Sequence, residues 1–194
     1  FLLLKKLFKF GTPIMLGGVG YLILHNTDTL LITYFLNLKD VAIYQVALPT
    51  ANVLTYFGMA LTTVTLPMVS ELWTRKLTSP LISGINLVYK YIFIMIIPLS
   101  LVLVLFPELI LRTLFGPNYI GGKVVLIILA LGIFILTLAN VNFAILTGIG
   151  KPRSIANIMF IVSFLNIILN FIFIPILGIN GAALTTFICY VIMA

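Results

Sequence analysis

The chain has 194 residues, of which 62% are hydrophobic and 8% charged, with a mean hydropathy of +1.29. Soluble domains carry roughly a quarter of their residues as charges, so a water-soluble globule is excluded. The net charge of +7 does not point to nucleic acid, because the basic residues sit singly or in pairs between apolar runs and form no continuous basic face. Cys189 is the single cysteine and His25 the single histidine, so neither a disulfide framework nor a zinc site is expected, and no cofactor is implied.

Apolar runs recur along the whole length, each able to cross a hydrocarbon core of about 30 Å at about 1.5 Å of helix per residue. The fold class predicted is all-α, a polytopic transmembrane bundle of six spans. Residues 1–10, "FLLLKKLFKF", read as a basic interfacial lead-in on the cytoplasmic side; no small-residue cleavage site follows, which argues against a signal peptide. The first span covers 11–36, and "NLKDVA" breaks the pattern. The second covers 41–69 and contains Pro49 and Pro67. "SELWTRKLTSP" ends it, and the third span, 85–106, has Pro98 near its middle.

Residues 107–118 are too short and too punctuated to cross, so they form an amphipathic segment on the outer face. The fourth span covers 124–146. "TGIGKPRS" is a sharp stop, with Gly148 and Gly150 before Pro152. The fifth span covers 155–174, "PILGING" turns the chain, and the sixth covers 179–194. A start on Phe1 and a stop at Ala194 inside an apolar run predict a piece of a longer protein.

Lys and Arg accumulate in short cytoplasmic loops. Lys5, Lys6, Lys9, Arg75, Lys76, Lys151 and Arg153 fall on the side of the N-terminus, against Lys39, Arg112 and Lys123 on the other, with Lys90 inside a span. Seven against three predicts a cytoplasmic N-terminus and a multi-pass protein of the cytoplasmic membrane.

The stretch "TGIGKPRSIANIMFIVSFLNIILNFIFIPILGINGAALTTFICYVI" (147–192) closely resembles a hallmark of polysaccharide flippases, the Wzx-like members of the multidrug/oligosaccharidyl-lipid/polysaccharide exporter superfamily. The resemblance rests on Gly150, Pro152, Asn157, Asn166, Asn170, Pro175, Gly178, Gly181 and Ala182. "FGTPIMLGGVGYLILHNTDTLLITYF", "VAIYQVALPTANVL", "LPMVSELW" and "LFGPNY" fit the same template in order, so that it covers essentially the whole chain. It implies one lobe of a two-lobed pseudo-symmetric transporter, here the second six-helix lobe, with the first lobe upstream and sites at the repeat interface. It also implies a polyprenyl-pyrophosphate-linked oligosaccharide as substrate, moved within the lipid bilayer.

Candidate site residues are the polar ones inside the spans. An Asp near a helix centre costs roughly 2.5 to 3.5 kcal/mol on insertion scales, so Asp28 should face a wet cavity or a partner. His25 lies one turn before it and shares a helix side, which allows a titrating or substrate-contacting pair or a purely structural one. Asn26 is a weaker cavity candidate. Lys90 either snorkels to the headgroups or contacts the pyrophosphate. Asn166 and Asn170, spaced i and i+4, share a face that serves as interhelical glue or lines a cavity. Pro49 and Pro98 each remove a helix hydrogen bond and are hinge candidates for alternating access.

Two motifs fail on inspection. "GIGKP" has proline where a phosphate-binding loop needs Ser or Thr, and "GGVG" (17–20) reads as close helix packing. The acids Asp40, Glu71 and Glu108 are scattered at membrane edges, so no carboxylate pair and no catalytic residue is proposed. The function expected is flipping of lipid-linked oligosaccharide repeat units for surface polysaccharide biosynthesis. The rivals are a proton- or sodium-coupled multidrug or metabolite antiporter and, more weakly, a glycan-assembly enzyme or scaffold.

Overall fold

The computed structural model describes residues 2–194, with side chains described from residue 11 onward apart from that of residue 13. The order is α1 (Leu2–Phe35), α2 (Leu38–Thr74), α3 (Thr78–Leu105), α4 (Pro107–Phe115), a 3-10 turn (Pro117–Gly122), α5 (Lys123–Gly148), α6 (Pro152–Leu177) and α7 (Ile179–Met193). Each of the six predicted spans is a helix, and no strand occurs among the described residues. Among these residues α2, α3, α5 with its preceding turn, and α6 are long and apolar enough to cross a membrane, while α7 is a shorter apolar helix of 15 residues.

The helices outrun the apolar windows that predict them. α2 carries on through "SELWT" to Thr74, where Glu71 and Arg75 pair at 2.9 Å across one turn, the i and i+4 spacing that supports an exposed helix end. α3 starts at Thr78, seven residues before the expected 85. The backbone of α1 is helical from Leu2, whereas the basic side chains of the 1–10 lead-in lie outside the described residues. The 107–118 segment divides at Gly116, whose φ of +96° turns the chain from α4 into the 3-10 turn.

Sequence chemistry sets the boundaries. Asn37 caps α2, its side-chain oxygen accepting the Asp40 N–H at 3.0 Å. Pro107 and Pro152 open α4 and α6 at positions where no N–H is needed. Pro49, Pro67, Pro98 and Pro175 lie inside helices that continue through them.

Packing follows two pairs of helices distant in sequence: α1 lies along α6, and α2 lies along α5. α7 packs on α5 and α6, and α3 on α2 and α5. The "GGVG" stretch is a packing device, since Gly20 meets Met159 and Ser163 of α6 and Gly17 meets Ala156, while Gly18 faces open space. The Ser163 hydroxyl lies 2.7 Å from the Gly20 carbonyl and 2.6 Å from that of Met159, so its one proton is shared between the two helices.

Candidate functional site

Four helices bring polar side chains to one level of this bundle. Asp28 on α1 and Tyr44 on α2 each stand eight residues from Leu36, and Asn170 on α6 and Thr186 on α7 each stand eight residues from Gly178. Eight residues of helix rise about 12 Å, so both hairpins deliver their polar groups to the same depth. The α6–α7 hairpin is sharp because Gly178 has a φ of +61° and because a Cβ on Gly181 would fall 2.3 Å from the Phe173 carbonyl oxygen.

Asp28 is 3% exposed and sits at the centre. The Asn170 amide donates to its Oδ1 at 2.7 Å, and the Asn166 amide approaches the same oxygen at 3.4 Å. The Tyr44 hydroxyl donates to Oδ2 at 2.7 Å, and the Thr186 hydroxyl donates to that oxygen as well. Asn170 Nδ2 also reaches Asn166 Oδ1 at 3.1 Å. An ionised carboxylate offers only acceptors, about four lone-pair directions; here four donors from three other helices occupy them. Asn170 Oδ1 is buried without a hydrogen-bond partner, which leaves one acceptor in the cluster for a further donor or cation.

Between the two helix pairs lies a cavity of about 720 Å³. Its walls come from Ile14 to Tyr21 of α1, Met59 to Leu66 of α2, Asn140 to Thr147 of α5 and Pro152 to Met159 of α6. All four stretches belong to the end of the bundle that carries Arg75, Lys76, Lys151 and Arg153 in its turns. The lining is mainly apolar, with Tyr21, Thr62, Thr63, Asn140 and Thr147 as its polar members. Tyr21 stands seven residues before Asp28, so the polar cluster lies about 10 Å further along α1 than the cavity wall at Tyr21.

Asp28, Asn166 and Asn170 are therefore brought together, and the amide pair both joins helices and dresses the carboxylate. His25 is not part of this group. It is half-buried and stacks on Tyr21 of its own helix, ring centroids 5.6 Å apart. No His25–Asp28 ion pair or hydrogen bond occurs among the described residues. Three residues fall about 60° short of a full turn; that rotation suffices for Asp28 to point at α2, α6 and α7 while His25 stays beside Tyr21. Asn26 is exposed and donates to the Leu22 carbonyl at 2.8 Å. Lys90 is exposed on α3, and because α3 begins at Thr78 it lies twelve residues, about 18 Å, along the helix. Pro49 and Pro98 leave the carbonyls of Gln45 and Ile94 without their usual helical donors.

Sequence reasoning missed Tyr44 and Thr186. Both are ordinary residues for a span, and Thr186 is 158 positions from Asp28. Tyr44 was accessible through hairpin symmetry, since a helical hairpin turning at Leu36 sets Asp28 opposite Tyr44.

Comparison with known proteins matches residues 2–124 to the family described as polysaccharide biosynthesis protein. An uncharacterised membrane protein of Methanocaldococcus jannaschii is 40% identical over 98% of this chain and 38% of its own length. The probable low-salt glycan biosynthesis flippase Agl15 of Haloferax volcanii is 26% identical over 97% of this chain and 40% of its own length. Among solved structures, an outward-facing multidrug resistance MATE family transporter of the MOP superfamily superposes with a TM-score of 0.81 at 19% identity, over 97% of this chain and 43% of that one. A MOP superfamily transporter from Pyrococcus furiosus gives 0.78 at 19% identity, over 97% and 42%. The chain thus spans about two fifths of the length of these relatives.

Proposed function

Because the chain belongs to the polysaccharide biosynthesis protein family and is a multi-pass membrane protein with the MOP transporter fold, we propose that it forms one lobe of a flippase for lipid-linked oligosaccharide repeat units. The lobe is the second of two, and a first lobe of like construction supplies the opposite wall of a central passage. The end rich in Arg75, Lys76, Lys151 and Arg153 faces the cytoplasm. The sugar-pyrophosphate head enters the passage there and leaves on the other side by alternating access, while its polyprenyl tail stays in lipid.

The observation that supports this reading is the cavity of about 720 Å³ between the α1–α6 and α2–α5 pairs, which lies in the half of the bundle that carries the basic turns, next to the Asp28 cluster that ties α1 to α2, α6 and α7. Pro49 and Pro98 supply helix positions already short of a hydrogen bond, where α2 and α3 bend at least cost. The test is deletion of the gene, with surface glycan and lipid-linked intermediates measured. Loss of the glycan with accumulation of the intermediate on the cytoplasmic leaflet is expected. A normal glycan with no accumulation overturns the reading.

Coupling to protons or sodium, as in an antiporter, is favoured by a separate observation: a buried carboxylate next to an unpartnered acceptor, Asn170 Oδ1. A small cation fits that chemistry, and a sugar does not reach it. If cation flux by the full-length protein in vesicles survives Asp28→Asn unchanged, Asp28 does not carry the ion.

A further inference from the structure

The exposed surface of the bundle is chemically divided. On α3 from Phe93 to Leu105 and on α6 from Phe160 to Leu177 every exposed residue is apolar, as a lipid-facing surface requires. α1 and α2 differ. Asn26 and Thr33 stand exposed on α1, with Thr29 half-buried in the same stripe, and Gln45, Tyr56 and Thr63 stand exposed on α2, with Asn52 half-buried among them. Positions 45, 52, 56 and 63 repeat at helical spacing and make one stripe, and Gln45 Nε2 donates to Thr29 Oγ1 at 2.7 Å, joining it to the stripe on α1. At its far end the stripe enters the cavity, whose lining includes Thr63 and, beside it, Met59.

Polar side chains at this depth are costly against lipid and are placed toward water or partners. Threonines here satisfy their hydroxyl protons on their own helix, Thr33 on Thr29 O and Thr63 on Met59 O, each within 2.8 Å. Asn52 and Tyr56 do not: their side chains have no hydrogen-bond partner among the described residues, and Tyr56 is 70% exposed. Asn26 and Gln45 use their amide N–H groups internally and keep their oxygens free. Between positions 26 and 63 the charged residues are Asp28, buried, and Lys39 and Asp40 at the turn. The stripe is therefore neutral.

We propose that this α1–α2 face reads the sugar units of the substrate, with Asn52 and Tyr56 as its specificity-determining residues and Asn26 and Gln45 as supporting acceptors. The inference rests on the flippase reading and adds what this lobe recognises. Amides and a phenol are both donors and acceptors, as sugar hydroxyls demand, and the Tyr56 ring offers an apolar face to the carbon-bound hydrogens of a pyranose. A neutral face gives a pyrophosphate dianion no countercharge, so the substrate's charge is met elsewhere in the protein.

The test uses the full-length protein in liposomes, with two fluorescent carriers: polyprenyl pyrophosphate bearing one sugar, and the same lipid bearing a complete oligosaccharide. For Asn52→Ala combined with Tyr56→Phe, flipping of the oligosaccharide carrier should slow by at least about tenfold while the single-sugar carrier stays within about twofold of wild type. Asn52→Gln, which keeps the amide, should recover most of the rate. Unchanged rates for both carriers overturn the proposal. Equal losses for both, with a lowered melting temperature, also overturn it and identify the stripe as packing against the rest of the protein. A wild-type protein that moves neither carrier removes the flippase reading and this inference with it.

Discussion

Around Asp28, four donors from three helices close on one carboxylate that is 3% exposed. On the α1–α2 face, about two to three turns of α2 beyond Tyr44, Asn52 and Tyr56 have no hydrogen-bond partner among the described residues, and Tyr56 is 70% exposed. The two regions use similar chemistry, amides and hydroxyls on the apolar helices of a multi-pass membrane protein. They differ in whether those groups are consumed by the fold. A polar group whose partners are all internal holds helices in register and admits only something as small as a cation, whereas one left bare inside a membrane protein is available to a ligand.

The largest effects should come from breaking the consumed cluster. Asp28→Ala removes the common acceptor and leaves four donors without it; in a membrane interior this is expected to destabilise the helix bundle by roughly 2–5 kcal/mol. Thermal unfolding of the full-length protein in detergent should show a clearly lowered midpoint together with loss of transport. A midpoint equal to wild type would mean that the cluster does not hold the helices together. Gly181→Ala acts on the same cluster from outside it. A Cβ 2.3 Å from the Phe173 carbonyl oxygen forces the α6–α7 turn to shift, an overpacking cost of about 1–3 kcal/mol. The shift moves Thr186 relative to Asn170, so the variant should also lose activity, whereas Gly18→Ala, which meets nothing within 4 Å, should fold as wild type.

Much of this architecture was legible in the residues. The six apolar runs became helices, and the i and i+4 spacing of Asn166 and Asn170 put both amides on the face that meets Asp28. The cost of an Asp in a span correctly demanded partners for Asp28, but proximity along the helix suggested His25, and the structure gives that place to residues on α2, α6 and α7. The reason is physical. Sequence spacing fixes direction around one helix, while partners across helices depend on which helices pair. Here α1 lies along α6, 130 or more residues away, because Gly17 and Gly20 let the two backbones approach. The cavity was invisible for the same reason, since it is the space left between two such pairs.

One chemical change made in both regions separates a consumed hydroxyl from a free one. Tyr44→Phe and Tyr56→Phe each delete a single hydroxyl oxygen. At Tyr44 the deletion removes a 2.7 Å hydrogen bond to buried Asp28, and a loss of about 1 kcal/mol is expected, toward the upper part of the range for interhelical bonds in membranes. At Tyr56 no internal bond is lost, so the unfolding midpoint should stay within error of wild type, about 0.5 kcal/mol, while the rate for the oligosaccharide carrier falls. If Tyr56→Phe instead lowers the midpoint as far as Tyr44→Phe does, then another part of the full-length protein already holds that hydroxyl. The α1–α2 face would then be a seam against the rest of the full-length protein, consumed by the fold in the same way as the cluster around Asp28.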